Sequence, residues 1–333
     1  MNDRLAVVTG AGGFIGFHLA KQLRELGWKV RGIDIKCPEF DNPAICADQF
    51  WYCDLRDSRE CDHVVRGAER VYHFAADMGG IGYIGTQAAT IAANNTLIDT
   101  HMLVAAADAG VKRFFFPSSA CVYRQLAQQG TNTVPLSESD AMPADPEPGY
   151  GWAKLFTEQL CAYFRQDRGL RTYVARLHNV YGERGTFHGG REKAPAALCR
   201  KFAELPKDGG EVVVWGDGKC VRSFLYIDDC IDGIIKLVEN ERFWGPVNIG
   251  SEEAVSINGL ATMIGEISGK PYRVRHDESA PIGVRYRNSN SGLARRILGW
   301  VPQTPLRRGL EKTYRWIESQ VAQSCASRNI NHD

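Results

Sequence analysis

The chain has 333 residues, enough for one large domain or two ordinary ones. Hydrophobic residues make up 44% of it and charged residues 24%, which is the composition of a soluble globular protein. The net charge of +1 excludes a global field that would attract nucleic acid or an anionic membrane, so any phosphate recognition has to be local. No apolar stretch is long enough to span a bilayer, and we expect neither a nucleic-acid nor a membrane partner.

The first residues and the cysteines favour a cytoplasmic protein. Residues Met1–Gly13 lead directly into an apolar, strand-like stretch and then into glycines, without a basic leader or a small-residue cleavage site. The ten cysteines are scattered, and none lies in a C-x-x-C pair or in a Cys/His cluster with zinc spacing. We therefore expect reduced thiols and no metal site.

Short apolar stretches alternate with amphipathic ones in the first half of the chain, as in a parallel sheet with helices on both faces. We predict a first strand over Leu5–Thr9, a helix that begins at Phe14 and ends at Gly27, and a second strand over Lys29–Asp34. Further strands are predicted at Arg70–Ala75, Arg113–Pro117 and Thr172–Arg176. The predicted fold class is therefore α/β, a Rossmann-type doubly wound parallel sheet.

This alternation becomes irregular after about residue 180, where glycine- and charge-rich segments begin. We expect residues 1–180 to form the first domain, with later segments near 212–250 returning to it. Residues 181–323 would mainly form a smaller α/β lobe, and residues 324–333 a frayed polar tail. In such an architecture a ligand lies between the lobes, at the carboxyl ends of the strands.

The loop between the first strand and the first helix has glycines spaced for a dinucleotide. Gly10, Gly13 and Gly16 form G-x-x-G-x-x-G, which permits a tight turn and lets a helix N-terminus approach a pyrophosphate. Glycine-rich loops are common between strands, but this one follows a strand and opens a helix. Asp34, at the end of the second strand, would bind the adenosine ribose hydroxyls and favour NAD over NADP, a preference that the nearby Lys36 weakens.

Tyr150 and Lys154 lie four residues apart on one helical face. Such a pair usually means only a solvated face, but here it follows a dinucleotide motif and Ser118–Ser119. A tyrosine is a poor base near neutral pH unless a cation lowers its pKa from about 10. We expect Lys154 and a positively charged nicotinamide to do so, which would let Tyr150 take a hydroxyl proton as hydride leaves carbon.

These features together resemble the extended short-chain dehydrogenase/reductases. The landmarks that match this family in order are the glycine loop, Asp34, Asp54–Leu55, His73–Ala76, Asn95, Ser119, Tyr150 and Lys154, Gly216–Gly218, Arg222–Phe224 and Asn248–Gly250. The resemblance implies a Rossmann domain, NAD as cofactor, a nucleotide-linked sugar bound by the C-terminal lobe, and a homodimer. The cofactor-binding residues that it implies are Gly10, Gly13, Phe14, Ile15, Gly16, Asp34, Asp54, Leu55, Tyr150 and Lys154.

The residues after Ser119 distinguish the reactions within this family. Dehydratases carry an Asp-Glu pair there, whereas this chain has Ala120 and Cys121, so dehydration is disfavoured. An arbitrary cysteine is most often a small buried hydrophobe, but Cys121 follows the predicted catalytic strand. Lys193 is the second unusual residue, and a lysine in a charged loop is ordinarily a solvated surface residue.

Several stretches resemble one branch of the family, the GDP-mannose 3,5-epimerases. They are Ala76–Gly80, Ser118–Tyr123, Leu177–Gly182, Gly189–Ala197 and Val284–Ser289. The resemblance implies that Tyr150 supports oxidation at C4, that Cys121 and Lys193 then exchange protons on opposite faces of the 4-keto sugar, and that hydride finally returns to C4. We expect neighbouring cations to lower the thiol pKa of Cys121 and burial to lower the pKa of Lys193.

The same resemblance implies catalytic roles for Ser119, Cys121, Tyr150, Lys154 and Lys193. It implies substrate contacts for Gly79, Ser119, Cys121, Asn179, Glu192, Lys193, Ala194, Lys201, Cys220, Arg222 and Arg287, the two arginines as diphosphate clamps. Cys220 stands where the branch is expected to carry glutamine, and Trp152–Ala153 also departs from its pattern. A GDP-heptose or another nucleotide sugar therefore stays open as substrate, as do a 4-epimerase, a 4-keto-sugar reductase and a redox-sensing regulator that binds NAD without turnover.

Overall fold

A seven-stranded parallel sheet forms the centre of the protein, for which a computed structural model describes residues 4–79, 81–129 and 134–330. The strands are β1 (Leu5–Thr9), β2 (Lys29–Asp34), β3 (Gln49–Tyr52), β4 (Arg70–His73), β5 (Arg113–Ser119), β6 (Arg171–Leu177), β7 (Val180–Tyr181), β8 (Gly210–Trp215), β9 (Val221–Ser223), β10 (Leu225–Tyr226), β11 (Val247–Ile249), β12 (Ala254–Ser256), β13 (Tyr272–Asp277) and β14 (Tyr286–Arg287). The central sheet has the order β11-β6-β5-β4-β1-β2-β3, the doubly wound arrangement expected from the sequence.

Helices cover both faces of this sheet. They are α1 (Phe14–Glu25), α2 (Ser58–Val64), α3 (Ile81–Ile84), α4 (Ala88–Asp108), α5 (Tyr150–Arg168), α6 (Ala194–Ala203), α7 (Ile227–Glu239), α8 (Ile257–Ser268), α9 (Gly292–Leu298) and α10 (Leu306–Ile330). Successive side chains of a strand point to opposite faces. Phe114 and Phe116 accordingly join the apolar core that includes residues of α2, α4 and α5, whereas Phe115 joins the core on the other face, with residues of α1 and α7.

The predicted elements of the first half agree closely with the structure. Strands Leu5–Thr9 and Lys29–Asp34 are confirmed residue for residue, and α1 begins at the predicted Phe14. The other predicted strands differ from β4, β5 and β6 by at most two residues at an end. Gly27, with φ +82°, follows α1 where the sequence predicted the helix to end.

The second half is less regular and contributes short sheets of two or three strands. One segment near its middle, β11, pairs in parallel with β6 and so belongs to the central sheet. The division into residues 1–180 and 181–323 remains an interpretation. The segment expected to fray from residue 324 begins inside α10, which continues to Ile330, and residues 331–333 lie outside the described residues.

Within the described residues, no helix is both long and apolar enough to cross a membrane. No three His, Cys, Asp or Glu side chains in that part of the chain come together as a metal site. The nine cysteines whose side chains the structure describes are free thiols.

Candidate active site

The glycine loop forms a tight turn at the carboxyl end of β1. Gly10 has φ +70°, and a Cβ there would lie 2.7 Å from the carbonyl carbon of Phe74. A Cβ on Gly16 would lie 2.2 Å from the carbonyl oxygen of Gly10. Gly13 precedes α1 without a side-chain cap, so the first-turn N–H groups of Phe14 and Ile15 face an open helix N-terminus. The turn therefore leaves an anion-binding helix end at the sheet edge.

Asp34 lies beside this turn at the end of β2. Its Oδ2 accepts the N–H of Gly12 at 2.9 Å, and its Oδ1 accepts that of Lys36 at 3.2 Å. Burial raises the pKa of Asp34, while these amide hydrogen bonds oppose that effect. Asp54 and Leu55 follow the adjacent strand β3, where Asp54 pairs with Arg56 and Leu55 is buried. The carboxyl ends of β1, β2 and β3 therefore gather most of the predicted cofactor residues.

Tyr150 and Lys154 begin α5, and both side chains are buried. The Nζ of Lys154 lies 5.7 Å from the centroid of the Tyr150 ring and 4.4 Å from that of Phe116. Ser119, at the end of β5, lies close enough to the Tyr150 hydroxyl to oppose the increase in its pKa. The predicted Ser-Tyr-Lys group is therefore gathered at one place.

The surrounding protein raises the pKa of Tyr150, and the expected decrease beside a positively charged nicotinamide stays a prediction. Burial raises the Tyr150 pKa, the neighbouring acidic groups Cys121 and Asp99 raise it further, and Ser119 opposes them. The physical reason is the dry surroundings, since a desolvated phenolate is costly.

Cys121 lies in a short 3₁₀ turn, Ala120–Val122, directly after β5. Ser119 Oγ accepts its N–H at 3.2 Å, and its carbonyl oxygen accepts the N–H of Glu147 at 3.0 Å. The turn also touches α5 so closely that a Cβ on Gly151 would lie 2.4 Å from the Cys121 carbonyl oxygen. These contacts place the thiol beside Tyr150.

A neighbouring cation acts to lower the Cys121 pKa, as expected from the sequence, but the net shift is opposite to the expected one. Burial and the carboxylate of Glu147 raise the pKa of Cys121 to about 11, although Arg287 opposes them. Arg287 Nη1 lies 3.7 Å from the Cys121 sulfur, and its Nη2 donates to Glu147 Oε1 at 2.5 Å. Glu147 therefore neutralises the cation that would otherwise favour the thiolate.

Lys193 precedes α6 and projects into the same region. Its side chain is exposed to solvent, although many protein atoms surround it. Burial lowers the pKa of Lys193, as expected from the sequence; Cys121 and Glu147 oppose this effect and Arg287 reinforces it. Cys121 and Lys193, far apart in the sequence, are thus electrostatic neighbours.

Comparisons with known proteins agree with this geometry. Residues 6–250 match the model of the NAD dependent epimerase/dehydratase family. The chain belongs to this family.

Two curated relatives narrow the comparison within the family. A GDP-mannose 3,5-epimerase of Arabidopsis thaliana is 45% identical over 94% of this chain and 82% of its own length. GDP-L-fucose synthase 1 of the same plant is 31% identical over 96% of each chain.

Solved structures share the fold. A UDP-glucose 4-epimerase of Thermotoga maritima, solved with UDP-glucose, has a TM-score of 0.84 and 26% identity, covering 95% of this chain and 99% of its own. A UDP-glucuronic acid 4-epimerase of Bacillus cereus, solved with UDP-glucuronic acid and NAD, has a TM-score of 0.80 and 26% identity, with the same coverage.

The residues of this family member fit NAD, its cofactor. The turn at Gly10 and Gly16 has no room for side chains, and the uncapped N-terminus of α1 suits a pyrophosphate. The Asp34 carboxylate at the end of β2 suits ribose hydroxyls.

The remaining predicted substrate residues lie mostly in the second half of the chain. Arg222 donates to the backbone oxygens of Val221 and Val284, and burial lowers its pKa to about 10, with Arg287 adding to the decrease. Other placements follow: Gly79 is buried after β4, Asn179 donates to the Ser223 oxygen, Glu192 pairs with Arg200, Ala194 begins α6, Lys201 donates to the Val213 oxygen, and Cys220 is buried before β9. Gly80 lies outside the described residues.

The donors of Arg287 face Gln128, Glu147 and the Cys121 sulfur, and its role as a diphosphate clamp stays a prediction. Sequence reasoning missed Glu147, Gln128 and Asp99, which lie among the active-site groups. Glu147 stands in a proline-rich stretch before Tyr150, and Asp99 lies within a helix, so neither had a motif to indicate it.

Proposed function

We propose that this protein is a GDP-mannose 3,5-epimerase that acts through a transient 4-keto sugar. The observation that carries the proposal is that Cys121 lies near Tyr150 and that Lys193 is close enough to Cys121 to interact with it electrostatically. A 4-epimerase needs only the tyrosine site, whereas inversion at C3 or C5 also needs two groups that exchange carbon-bound protons. The similarity to GDP-mannose 3,5-epimerases supports the choice of sugar nucleotide.

The first step is oxidation at C4. Bound NAD supplies a hydride acceptor for C4, a positively charged ring, and the hydride that returns at the end. The Tyr150 phenolate takes the C4 hydroxyl proton and becomes the neutral phenol, and Ser119, which lies near Tyr150 Oη, orients the hydroxyl groups. Since burial raises the tyrosine pKa, cationic charge near Tyr150 is required for this transfer, and Lys154 provides it from within α5.

The second step is proton exchange next to the new ketone, which acidifies the C–H bonds at C3 and C5. Cys121 Sγ removes a proton from one face of the sugar, and Lys193 Nζ donates one from the other. Arg287 stabilises the thiolate from 3.7 Å. The lowered pKa of Lys193 makes its ammonium a better acid than a surface lysine.

Incubation with GDP-mannose in deuterated water tests this function. Deuterium should enter C3 or C5 of the recovered sugar. Cys121→Ser and Lys193→Ala should abolish this exchange but keep the first reduction of bound NAD, whereas Tyr150→Phe should abolish both. Lys207→Ala removes an exposed lysine as a matched control and should leave both unchanged.

Other outcomes identify the alternatives. Exchange that survives both Cys121→Ser and Lys193→Ala contradicts the proposal. Inversion at C4 without deuterium indicates a 4-epimerase, and stoichiometric consumption of external reduced cofactor indicates a 4-keto-sugar reductase. Bound NAD without turnover of any sugar nucleotide indicates a regulator. Turnover of another GDP-sugar, such as a heptose, in place of GDP-mannose would change the substrate and keep the mechanism.

We also infer a cytoplasmic homodimer. Large apolar side chains are exposed on two neighbouring helices that cover the sheet: Leu97 and Val104 on α4, and Trp152, Phe156 and Tyr163 on α5. An exposed apolar patch of this kind suits a second copy of the chain. The free thiols at the described cysteines suit a reducing compartment.

Sedimentation equilibrium tests the homodimer. We expect a dimer for the unmodified chain and a monomer for Phe156→Glu, because the substitution would place a charge in the apolar contact. A dimer that persists in Phe156→Glu would contradict an interface on α5.

A further inference from the structure

Lys154 is a buried cation at the centre of the proposed chemistry. Only 1% of its surface is exposed, and its ammonium lies over the face of Phe116. Burial lowers the pKa of Lys154, because a desolvated ammonium is unstable without a counter-ion. A neighbouring group must therefore stabilise the positive charge of Lys154, which the proposed proton transfer to Tyr150 requires.

Asp99 on α4 is the carboxylate closest to that ammonium among the described ion pairs. Its Oδ2 lies 3.8 Å from Lys154 Nζ and accepts the hydroxyl of Thr157 at 3.0 Å. Asp99 is itself completely buried. A fully buried carboxylate is rare unless charged and hydrogen-bonding partners compensate it.

A buried hydrogen-bond chain holds Asp99 from its other side. His73 Nε2 lies 3.0 Å from Asp99 Oδ1, and His73 Nδ1 lies 2.8 Å from Thr9 Oγ1. Thr9 Oγ1 in turn accepts the N–H of Ala75 at 3.1 Å. Since an ionised carboxylate only accepts hydrogen bonds, the proton of that His73–Asp99 contact lies on Nε2. This chain of hydrogen bonds therefore reaches Thr9, the residue before the glycine loop.

We propose that Asp99 is a positioning residue that keeps Lys154 protonated and holds its ammonium beside Tyr150. The proposal rests on the proposed epimerase, in which Lys154 supports Tyr150. None of the sequence motifs includes Asp99, and its hydrogen bonds go to Thr157 on α5 and to His73 on β4. It therefore acts through Lys154 and not on the sugar.

The charges around Asp99 agree with this role. The titratable groups that face it are His73 from β4 and Tyr150, Lys154 and Cys161 from α5. Burial alone would raise the pKa of Asp99, but Lys154 and His73 outweigh it and bring the pKa below its usual value. Asp99 in turn opposes the effect of burial on Lys154. Each of the two charges thus depends on the other.

The uptake of protons on unfolding tests the charge of Lys154 without any substrate. In Asp99→Asn, a neutral buried Lys154 would take up about one proton when urea unfolds the chain below the ordinary lysine pKa. The free energy of unfolding of Asp99→Asn should therefore rise with pH relative to that of the unmodified chain. The comparison is made between about pH 8 and pH 9, above the histidine range. Thr157→Val removes a hydrogen bond to Asp99 but no charge, and should follow the unmodified chain.

The pH profile of the first reduction of NAD gives a second readout. Asp99→Asn should lower that rate by about a hundredfold at neutral pH. Its alkaline limb, where Lys154 loses its proton, should move to lower pH, whereas Thr157→Val should leave the limb in place. If both the pH profile of NAD reduction and the proton uptake on unfolding are the same in Asp99→Asn as in the unmodified chain, the proposal is overturned.

Folding of the variant is controlled by the double substitution Asp99→Asn with Lys154→Met. If Asp99→Asn alone fails to fold, the double variant should fold, because no buried charge is left unpaired. Failure of both would overturn the electrostatic role. If the unmodified chain turns over no sugar nucleotide, the proposed function fails, and the proton uptake still decides the role of Asp99.

Discussion

Glu147 places a carboxylate against both Arg287 and Cys121. Because that carboxylate raises the thiol pKa and neutralises Arg287, Glu147→Gln should lower the Cys121 pKa from about 11. A lower pKa means that the thiolate persists to lower pH, so alkylation of Cys121 by iodoacetamide should begin at lower pH. The pH dependence of the alkylation rate, followed by mass spectrometry of the Cys121 peptide, measures this shift.

The same substitution should move the acid limb of deuterium exchange in the same direction. Cys121→Ser is the control for the alkylation experiment, because it removes the Cys121 thiol and leaves the other thiols in place. An alkylation profile that does not move in Glu147→Gln would mean that burial alone sets the thiol pKa.

At the level of residues, the sequence predicted the groups that follow short motifs. The spacing of Tyr150 and Lys154 and the place of Cys121 after a strand were sufficient to bring them together. The pKa directions of Tyr150 and Cys121 were not predictable, because they depend on burial and on Glu147 and Asp99. These carboxylates reach the site through the packing of separate segments, which no spacing in the sequence records.

The first turn of α5 packs directly on the turn that carries Cys121, and Gly151 is the point of contact. Replacing an exposed helical glycine by alanine ordinarily stabilises a protein by about 1 kcal/mol. Here the new Cβ would lie 2.4 Å from the Cys121 carbonyl oxygen, so Gly151→Ala should destabilise by about 1–3 kcal/mol. Urea unfolding measures the change, and Gly151→Ser should cost more. A stabilised Gly151→Ala would mean that the two elements separate freely.

Elements with a strong apolar pattern and clear turn residues were predictable from the sequence. Strands β1 and β2 and the start of α1 match their predictions because each is bounded by glycine or by a change of period. Strand β11, by contrast, has three residues and is recognised only by its pairing with β6. Helix α10 extends into a polar tail whose composition alone suggested fraying.

Two loops from distant parts of the chain meet beside the glycine turn. Asp41, after β2, pairs with Arg184, which lies in the segment leading to Lys193. Glu39 pairs with His188 in the same segment at 3.0 Å. A cavity next to Gly12 and Gly13 is lined by both loops. The loop that follows β2, beside the glycine turn, therefore contacts the segment that leads to Lys193.

Breaking the Asp41–Arg184 pair, the more buried of the two, should weaken cofactor binding. The side chain of Asp41 is only 13% exposed. Asp41→Asn should therefore weaken the binding free energy of NAD by about 1.5 kcal/mol, which raises the NAD dissociation constant about tenfold. Glu39→Gln breaks the more exposed pair, which contributes little, and should change that constant less than about twofold. Isothermal titration of each variant with NAD measures both. Equal affinities for Asp41→Asn and the unmodified chain would mean that the cofactor cavity forms without the contact to the Lys193 segment.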